Sequence, residues 1–399
     1  MVLVLVDQLR KDAADAWLTA VNRLAARGVV FDRMRSVAPW TYPSVLSLAS
    51  GLYPQQHGAD GHLHAGILSH FDEAVPLLPA VVGDAGYRTA AFVTNPFLHT
   101  WNAFHRAFDH YDVSFVNSQG NLRGVDDLVW NPERMFGDTV NAALRLHFAD
   151  RGAPSQPELT YVHYIDVHGP WSGAPFERTY EAAVRFIDER IVELHELFLD
   201  RYDGNVLFLV TSDHGTAFPG DEQAGDGPSM RRDKASMHDF NLRIPFVLLP
   251  SDLVSGPRRV GSPCGNVDVA PTLADWLGVA MPLALPGRSL LPAVRGEPLA
   301  GDRPLYARMS AFGSLTDGLV VGARKYMRHF DAASGEEIAR RVFDLDADPE
   351  ELASLGEDFG PAQETFEHEA GSHGVSFRPR FRNPSKELVD KLRSMGYLQ

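Results

Sequence analysis

The sequence is nearly free of cysteine. Cys264 is the single one in 399 residues, so no disulfide can form within the chain, which fits a reducing compartment. The apolar stretch at residues 1–6 lacks the charged start and the small-residue cleavage site of a signal peptide. No apolar run approaches the roughly 18 residues of a membrane span. We therefore expect a soluble, cytoplasmic protein without a membrane partner.

Positive charge is also scarce. The chain carries 37 Lys and Arg against 52 Asp and Glu, a formal net charge of −15. Such an acidic surface argues against a protein that wraps nucleic acid. It does not exclude a small anionic substrate, because a bound cation can reverse the local field. No feature of the sequence indicates an oligomeric state.

Buried strands alternate with helices along most of the chain, and 44% of the residues are hydrophobic, enough for a large core. This alternation predicts an α/β fold around a mostly parallel sheet with right-handed crossovers. We expect strands at 2–6, 29–31, 87–93, 159–165, 205–211 and 244–249. We expect helices at 13–26, 136–148, 177–199 and 268–277.

The pattern changes after Pro292. Short antiparallel strands are predicted at 319–326 and 341–345, and a terminal helix at 386–392. We therefore predict a catalytic α/β domain at 1–299 and a small C-terminal α+β subdomain at 300–399. Two polar, irregular stretches, 115–132 and 219–234, are predicted to shape the substrate pocket.

The stretch from Ala38 to Pro54 is the one around which the candidate site is organised. Pro43 suits the first turn of a helix, and the following small and apolar residues fall at helical spacing up to Gly51. Thr41 is then at the helix N-terminus, where free N–H groups favour negative charge. Its hydroxyl either caps the helix or attacks an anionic ester.

Three further polar residues follow predicted strands at the same sheet edge. Asp7 ends the first strand and Asp213 with His214 ends the strand at 205–211. Asp7 alone could cap a helix, and Asp213 with His214 could form a turn. Together they suit one divalent cation, Mn, Ca, Mg or Zn, with Thr41 bound as the alkoxide.

Three other residues are candidates for contacts with the substrate. His168 and His238 lie near the same edge and could hold the transferred group or protonate the leaving group. Lys234 could add charge stabilisation. The alternative for each histidine alone is a structural place in the core or on the surface.

An ordered set of motifs resembles the sulfatase family of the alkaline phosphatase superfamily over nearly the whole chain. The resemblance implies an α/β sandwich, a smaller C-terminal antiparallel subdomain, and a metal site at the strand ends that includes Gln8. The motifs are residues 6–8, 41–44, 51–54, 57–58, 85–89, 166–170, 212–215, 243–245, 267–273, 287–290 and 343–349.

The chain departs from the sulfatase pattern at several places. The family has a cysteine, converted to formylglycine, where this chain has Thr41, and an arginine where it has Val45. Gln8 replaces a second carboxylate, as in the related phosphonate monoester hydrolases. A Lys-x-His motif is absent, and Thr94 and Asn95 stand near its place. Thr41 resembles the threonine of phosphoethanolamine and lipoteichoic acid transferases, which are membrane enzymes.

These departures lead to three hypotheses about function. The first is a metal-dependent hydrolase of small phosphate or phosphonate esters with Thr41 as nucleophile, because formylglycine expels sulfate through a second hydroxyl that Thr41 lacks. The second is a sulfuric ester hydrolase that acts without formylglycine. The third is a catalytically degenerate member that binds a ligand or a partner.

Overall fold

The computed structural model describes residues 1–59, 68–98, 103–113, 136–169, 174–218, 221, 236–254, 256–301, 303–311, 314–331, 334–371 and 380–382. Within these ranges the strands are β1 (Val2–Val6), β2 (Val29–Phe31), β3 (Met34–Arg35), β4 (Leu68–His70), β5 (Arg88–Val93), β6 (His110–Asp112), β7 (Glu158–Tyr164), β8 (Phe208–Ser212), β9 (Phe246–Leu249), β10 (Arg258–Val260), β11 (Cys264–Gly265), β12 (Leu305–Ala311), β13 (Ser314–Val321), β14 (Arg324–Phe330), β15 (Glu337–Asp344) and β16 (Arg380–Arg382).

The helices of the same ranges are α1 (Lys11–Trp17), α2 (Thr19–Ala25), α3 (Thr41–Ser50), α4 (Pro54–His57), α5 (Leu78–Asp84), α6 (Gly137–Arg151), α7 (Tyr180–Arg201), α8 (Asp239–Leu242), α9 (Val269–Leu277), α10 (Leu291–Val294) and α11 (Ala362–Gly371). Of the helices that the structure describes, none has both the length and the apolar character that a bilayer-spanning segment needs.

An eight-stranded sheet in the order β10-β2-β9-β8-β1-β7-β5-β6 forms the main domain. Neighbouring strands are parallel except at β9, which runs antiparallel to both β8 and β2. Because β1, β7, β8 and β5 point the same way, their carboxyl ends share one edge. The sheet is therefore mostly parallel, as predicted.

Apolar side chains alternate between the two faces of this sheet and build a core on each side. On one face, Leu3 and Leu5 of β1 pack with Leu46 of α3 in a cluster that includes residues of α5 and α9. On the other, Val4 packs in a cluster with Ile187 of α7 and residues of α1, α2 and α6. Helices on both faces make the α/β sandwich, and the predicted fold class is confirmed.

The C-terminal sheet is a four-stranded antiparallel meander, β12-β13-β14-β15. It is joined to the main domain by a buried group of four charges. Lys325 of β14 contacts Asp239 at 2.9 Å and Glu351 at 2.8 Å, and Arg35 of β3 contacts Asp239 at 2.6 Å. Burial opposes the ionisation of Asp239, but the charges of Arg35 and Lys325 outweigh it and lower its pKa.

Several predicted elements differ from the structure. The helix expected at 13–26 is two helices, because Leu18 leaves helical geometry between α1 and α2 (φ −79°, ψ 63°). The strand expected at 319–326 was wrong, since the chain reverses there between β13 and β14 and Gly322 takes a positive φ of 60°. The terminal helix at 386–392 lies outside the described residues. The domain boundary at 299/300 stays a prediction.

Candidate functional site

Thr41 lies at the first position of α3, directly after the extended residue Trp40. Pro43 is in the first turn, where its missing N–H costs no helical hydrogen bond. The helix ends at Gly51, whose φ of 74° is the left-handed conformation that glycine adopts without strain. All ten residues of α3 are buried, so the packed core fixes the position of the Thr41 hydroxyl.

The Ser44 side chain fastens α3 to the carboxyl end of β8. Its hydroxyl donates to the main-chain carbonyl of Asp213 at 2.6 Å and accepts from the side-chain amide of Asn266 at 2.8 Å. The other end of Asn266 accepts from the N–H of Val37 at 3.0 Å. These bonds hold the Thr41 helix and the Asp213 loop in one rigid arrangement.

Asp7 and Asp213 are neighbouring buried carboxylates, and among the described residues only one oxygen of each accepts hydrogen bonds. Oδ1 of Asp213 accepts from the backbone N–H groups of His214 (2.8 Å) and Gln8 (3.1 Å), and Oδ2 of Asp7 accepts from the Asn95 amide. Oδ1 of Asp7 and Oδ2 of Asp213 have no hydrogen-bond partner among the described residues. Burial, followed by the charge of Asp213, raises the pKa of Asp7 well above its ordinary value.

The backbone of Gln8 stores strain at this edge. Its φ of 59° is in the left-handed region, which costs a non-glycine residue about 1 kcal/mol. The N–H bond to Asp213 and a 2.7 Å bond from the Tyr180 hydroxyl to the Gln8 carbonyl oppose that strain. The turn directs Asp7 toward Asp213, whereas ligation by the Gln8 side chain stays a prediction.

The His214 ring has a defined proton arrangement. Nδ1 lies 2.7 Å from the carbonyl oxygen of Gly215, and because a carbonyl only accepts, Nδ1 must carry the proton. When the ring carries a single proton, Nε2 is therefore the nitrogen with the free lone pair. It lies 3.4 Å from Asp213 Oδ2, 4.0 Å from Asp7 Oδ1 and 3.4 Å from Thr41 Oγ1. The structure therefore brings Asp7, Thr41, Asp213 and His214 together.

Two residues that the sequence did not identify complete this cluster. His163, on β7, has Nε2 3.9 Å from Asp7 Oδ2, and neither of its ring nitrogens hydrogen-bonds to any residue that the structure describes. Burial lowers its pKa to about 4, so the ring is neutral near pH 7. Asn95 follows β5, and its amide lies 3.5 Å from Thr41 Oγ1.

This donor set fits a divalent cation. Ligand atoms of Asp7, His163 and Asp213 all lie within 4.8 Å of one another and are buried. Two carboxylate oxygens and an imidazole that find no hydrogen-bond partner among the described residues are costly to bury unless something else compensates them. A divalent ion that accepts O and N ligands would do so.

Two of the remaining predicted residues lie in the part of the chain that the structure describes. His168 is in the turn after β7 and is 6% exposed. His238 precedes α8, where its Nδ1 is 2.5 Å from the Ser236 hydroxyl and its ring stacks on Phe240. The roles of His168 and His238 stay predictions. Lys234 and the stretch 115–132 lie outside the described residues, as does all of 219–234 except Asp221.

Sequence comparison finds sulfatases among the relatives of this chain. The family model described as Sulfatase matches residues 1–279. Choline-sulfatase of Rhizobium meliloti (strain 1021) is 29% identical over 184 residues, which are 45% of this chain and 33% of that protein. Delta 4,5-hexuronate-2-O-sulfatase of Bacteroides thetaiotaomicron is 22% identical over 408 residues, 88% of this chain and 82% of that protein.

The fold has solved counterparts. The Bacteroides thetaiotaomicron structure BT33494S-sulf, from work on glycosaminoglycan metabolism, matches with a TM-score of 0.70, 17% identity and 98% coverage of both chains. This chain matches only 33% of the length of choline-sulfatase. The similarity in structure concerns the fold alone.

The relatives correct one expectation from the sequence. The prediction that the substrates are phosphate or phosphonate esters was wrong, because the relatives are named for sulfate esters. The expectation rested on the missing second hydroxyl of formylglycine, yet water that attacks at sulfur releases sulfate from a threonine ester without that hydroxyl. Members of the family use a divalent metal ion, consistent with the buried cluster. With 279 of its 399 residues matched, this chain belongs to the sulfatase family.

Proposed function

We propose that this chain hydrolyses sulfuric esters of small molecules, with Thr41 as the nucleophile. The observation that carries the proposal is the position of Thr41 Oγ1. It lies 3.4 Å from His214 Nε2 and 3.5 Å from both Asp7 Oδ2 and Asn95 Nδ2, at the N-terminus of a buried ten-residue helix. The sulfatase relatives supply the ester class.

The Thr41 hydroxyl needs a proton acceptor before it can attack. The carboxylate of Asp7 is within reach of its proton, whereas the lone pair on His214 Nε2 is needed for the metal ion. One divalent ion held by Asp7, Asp213 and His214 would lower the pKa of the hydroxyl and polarise an ester oxygen. The buried surroundings strengthen each of these electrostatic contacts.

The reaction then has two steps that balance. In the first, Thr41 Oγ1 bonds to sulfur, the bond from sulfur to the alcohol oxygen breaks, and that oxygen takes a proton. In the second, water attacks sulfur, the bond from sulfur to Thr41 breaks, and sulfate leaves as Thr41 regains a proton. The N–H groups at the start of α3 and the Asn95 amide favour the negative charge on the sulfuryl oxygens.

Three further residues act on the substrate in this proposal. His168 and His238 hold sulfuryl oxygens or protonate the leaving alcohol, and Lys234 adds positive charge. The amide oxygen of Gln8 joins the metal ligands. These roles rest on sequence position and on the family resemblance, and each calls for substitution with an assay.

The test is a substrate comparison on metal-loaded protein. We expect nitrophenyl sulfate to be hydrolysed, and a phosphate monoester with the same leaving group to be hydrolysed more slowly. Bound metal without turnover of any sulfate ester would contradict the proposal and favour a degenerate, ligand-binding member of the family. Thr41→Ser keeps the hydroxyl and is the matched control for Thr41→Val.

A further inference from the structure

His163 is the one member of the central cluster to which the proposed mechanism gives no task. It is fully buried on β7, between Leu5 of β1 and Val93 of β5 in register. Both of its ring nitrogens lack a hydrogen-bond partner among the described residues. A buried imidazole in that condition loses the hydrogen bonds that it would make in water, which destabilises the folded protein unless another partner replaces them.

The surroundings of His163 suggest what compensates that cost. Its Nε2 lies 3.9 Å from Asp7 Oδ2, and one of its nitrogens lies within 4.8 Å of a carboxylate oxygen of both Asp7 and Asp213. Within the described part of the chain, each of those two carboxylates has one oxygen without a hydrogen-bond partner. Three buried side chains, each with at least one donor atom that has no hydrogen-bond partner among the described residues, therefore lie close enough together to share one ion.

A second imidazole faces the same two carboxylates. The Gly215 carbonyl fixes the proton of His214 on Nδ1, so Nε2 presents a lone pair 3.4 Å from Asp213 Oδ2 and 4.0 Å from Asp7 Oδ1. The described residues thus offer two oxygen and two nitrogen donors. Ca²⁺ and Mg²⁺ prefer oxygen ligands, whereas imidazole suits Zn²⁺ and its first-row neighbours.

We propose that His163 is a metal ligand and that, with His214, it makes this a two-carboxylate, two-imidazole centre that selects Zn²⁺ over Ca²⁺. The inference rests on the proposed function only for the place of the metal beside Thr41. It goes beyond that function in naming the ligand and the class of ion.

The experiment measures metal binding directly on the full chain. Metal-free protein is titrated with Zn²⁺ and with Ca²⁺ against a competing chelator, and X-ray absorption of the zinc form counts the imidazole ligands. We expect one zinc with two imidazoles. We expect His163→Leu to reduce the count to one and to lower the preference for Zn²⁺ over Ca²⁺ at least ~10-fold, the scale of effects at metal-site partners.

His147→Leu is the matched control. His147 is also a buried histidine whose Nε2 has no hydrogen-bond partner among the described residues, but its ring centroid lies 4.2 Å from that of His110 on the edge strand β6. Its substitution should leave both the imidazole count and the metal preference unchanged. If His163→Leu does not fold, the imidazole count of the unsubstituted protein decides alone.

Each result separates this inference from the proposed function. One imidazole in the zinc form, or an unchanged preference in His163→Leu, overturns the role of His163 even if sulfate esters are hydrolysed. If the zinc has two imidazole ligands but no sulfate ester is hydrolysed, the role of His163 is supported and the proposed function is contradicted. Failure to bind zinc at all overturns the inference.

Discussion

The Ser44 hydroxyl donates a 2.6 Å hydrogen bond to the main-chain carbonyl of Asp213, which joins the nucleophile helix to the metal loop. The proposed reaction uses neither the Ser44 hydroxyl nor the Asp213 main-chain carbonyl. The bond nevertheless sets the distance between Thr41, three residues earlier on α3, and the carboxylate of Asp213. Stability and metal affinity should therefore depend on a residue that touches neither metal nor substrate.

Ser44→Ala tests that dependence. Removing the hydroxyl deprives the buried Asp213 carbonyl of this partner and leaves the Asn266 amide with only its longer bonds to Ser36 Oγ and the Ser44 carbonyl, so we expect a loss of about 1–3 kcal/mol in the free energy of unfolding. Metal affinity should fall with it. Ser50→Ala is the control, because its hydroxyl bonds back to Leu46 within α3 and should not change metal affinity. Unchanged metal affinity in Ser44→Ala would refute the coupling.

Asp213→Asn should abolish metal binding while the fold is kept. The amide oxygen can still accept from the N–H groups of Gln8 and His214, but the neutral side chain is a much weaker ligand. Metal content per chain, measured after dialysis, gives the answer. Asp188→Asn is a buried control that caps α2 through Ala20 and Val21 and should retain the metal. Full metal occupancy in Asp213→Asn would mean that the site is elsewhere.

Asp166 should make the metal-free protein less stable as pH rises. Burial raises its pKa from 3.8 to about 7, although the N–H of Gly137 opposes the shift. The folded state thus favours the protonated form. The stability this gives is fully present below about pH 4 and is lost as pH rises toward about 7.

Asp166→Asn removes that pH dependence. Urea unfolding of the metal-free proteins should show similar stability near pH 4 and a more stable variant near pH 8, by a few kcal/mol at most. Asp138→Asn, an exposed site in the first turn of α6, should unfold like the unsubstituted protein at both values. If the free energy of unfolding of Asp166→Asn depended on pH as steeply as that of the unsubstituted protein, Asp166 would not be the cause of the pH dependence.

The buried charges between the two sheets should be sensitive to loss of one member. Lys325→Met leaves Glu351 without its cation and Asp239 with Arg35 alone, and we expect a loss of about 3–5 kcal/mol in the free energy of unfolding. Arg324→Met, next in the chain but in a more exposed pair with Asp344, should cost under about 1 kcal/mol. Glu351→Gln in the Lys325→Met background should recover part of the loss. Equal costs for the two single substitutions would be inconsistent with a buried network.

The sequence was sufficient to predict the sheet edge but not the whole site. Asp7, Asp213 and His214 follow strands, and parallel strands place such residues together. The same argument applies to Asn95 after β5, which was noted only as a departure from the family motif. His163 lies within β7 and not after its end, so nothing in the local sequence indicates that its side chain reaches the site at the sheet edge. Its role emerges only when the register with β1 places it beside Asp7.

Details of backbone geometry were also beyond the sequence. The positive φ of Gln8 depends on a hydrogen bond that its N–H donates to Asp213 and on one that its carbonyl accepts from Tyr180, residues 205 and 172 positions away in the chain. The hairpin between β13 and β14 depends on Gly322, inside an apolar stretch that reads as one strand. Contacts between distant residues override local pattern in both cases.

The most direct test of the account is the rate of sulfate ester hydrolysis by metal-loaded Thr41→Val beside Thr41→Ser. Valine keeps the shape of the side chain without the hydroxyl, and serine keeps the hydroxyl. We expect Thr41→Ser to remain active and Thr41→Val to lose at least ~10³-fold in kcat with its metal still bound, as for removal of a nucleophile. Hydrolysis by Thr41→Val at the rate of the unsubstituted protein would contradict the central claim.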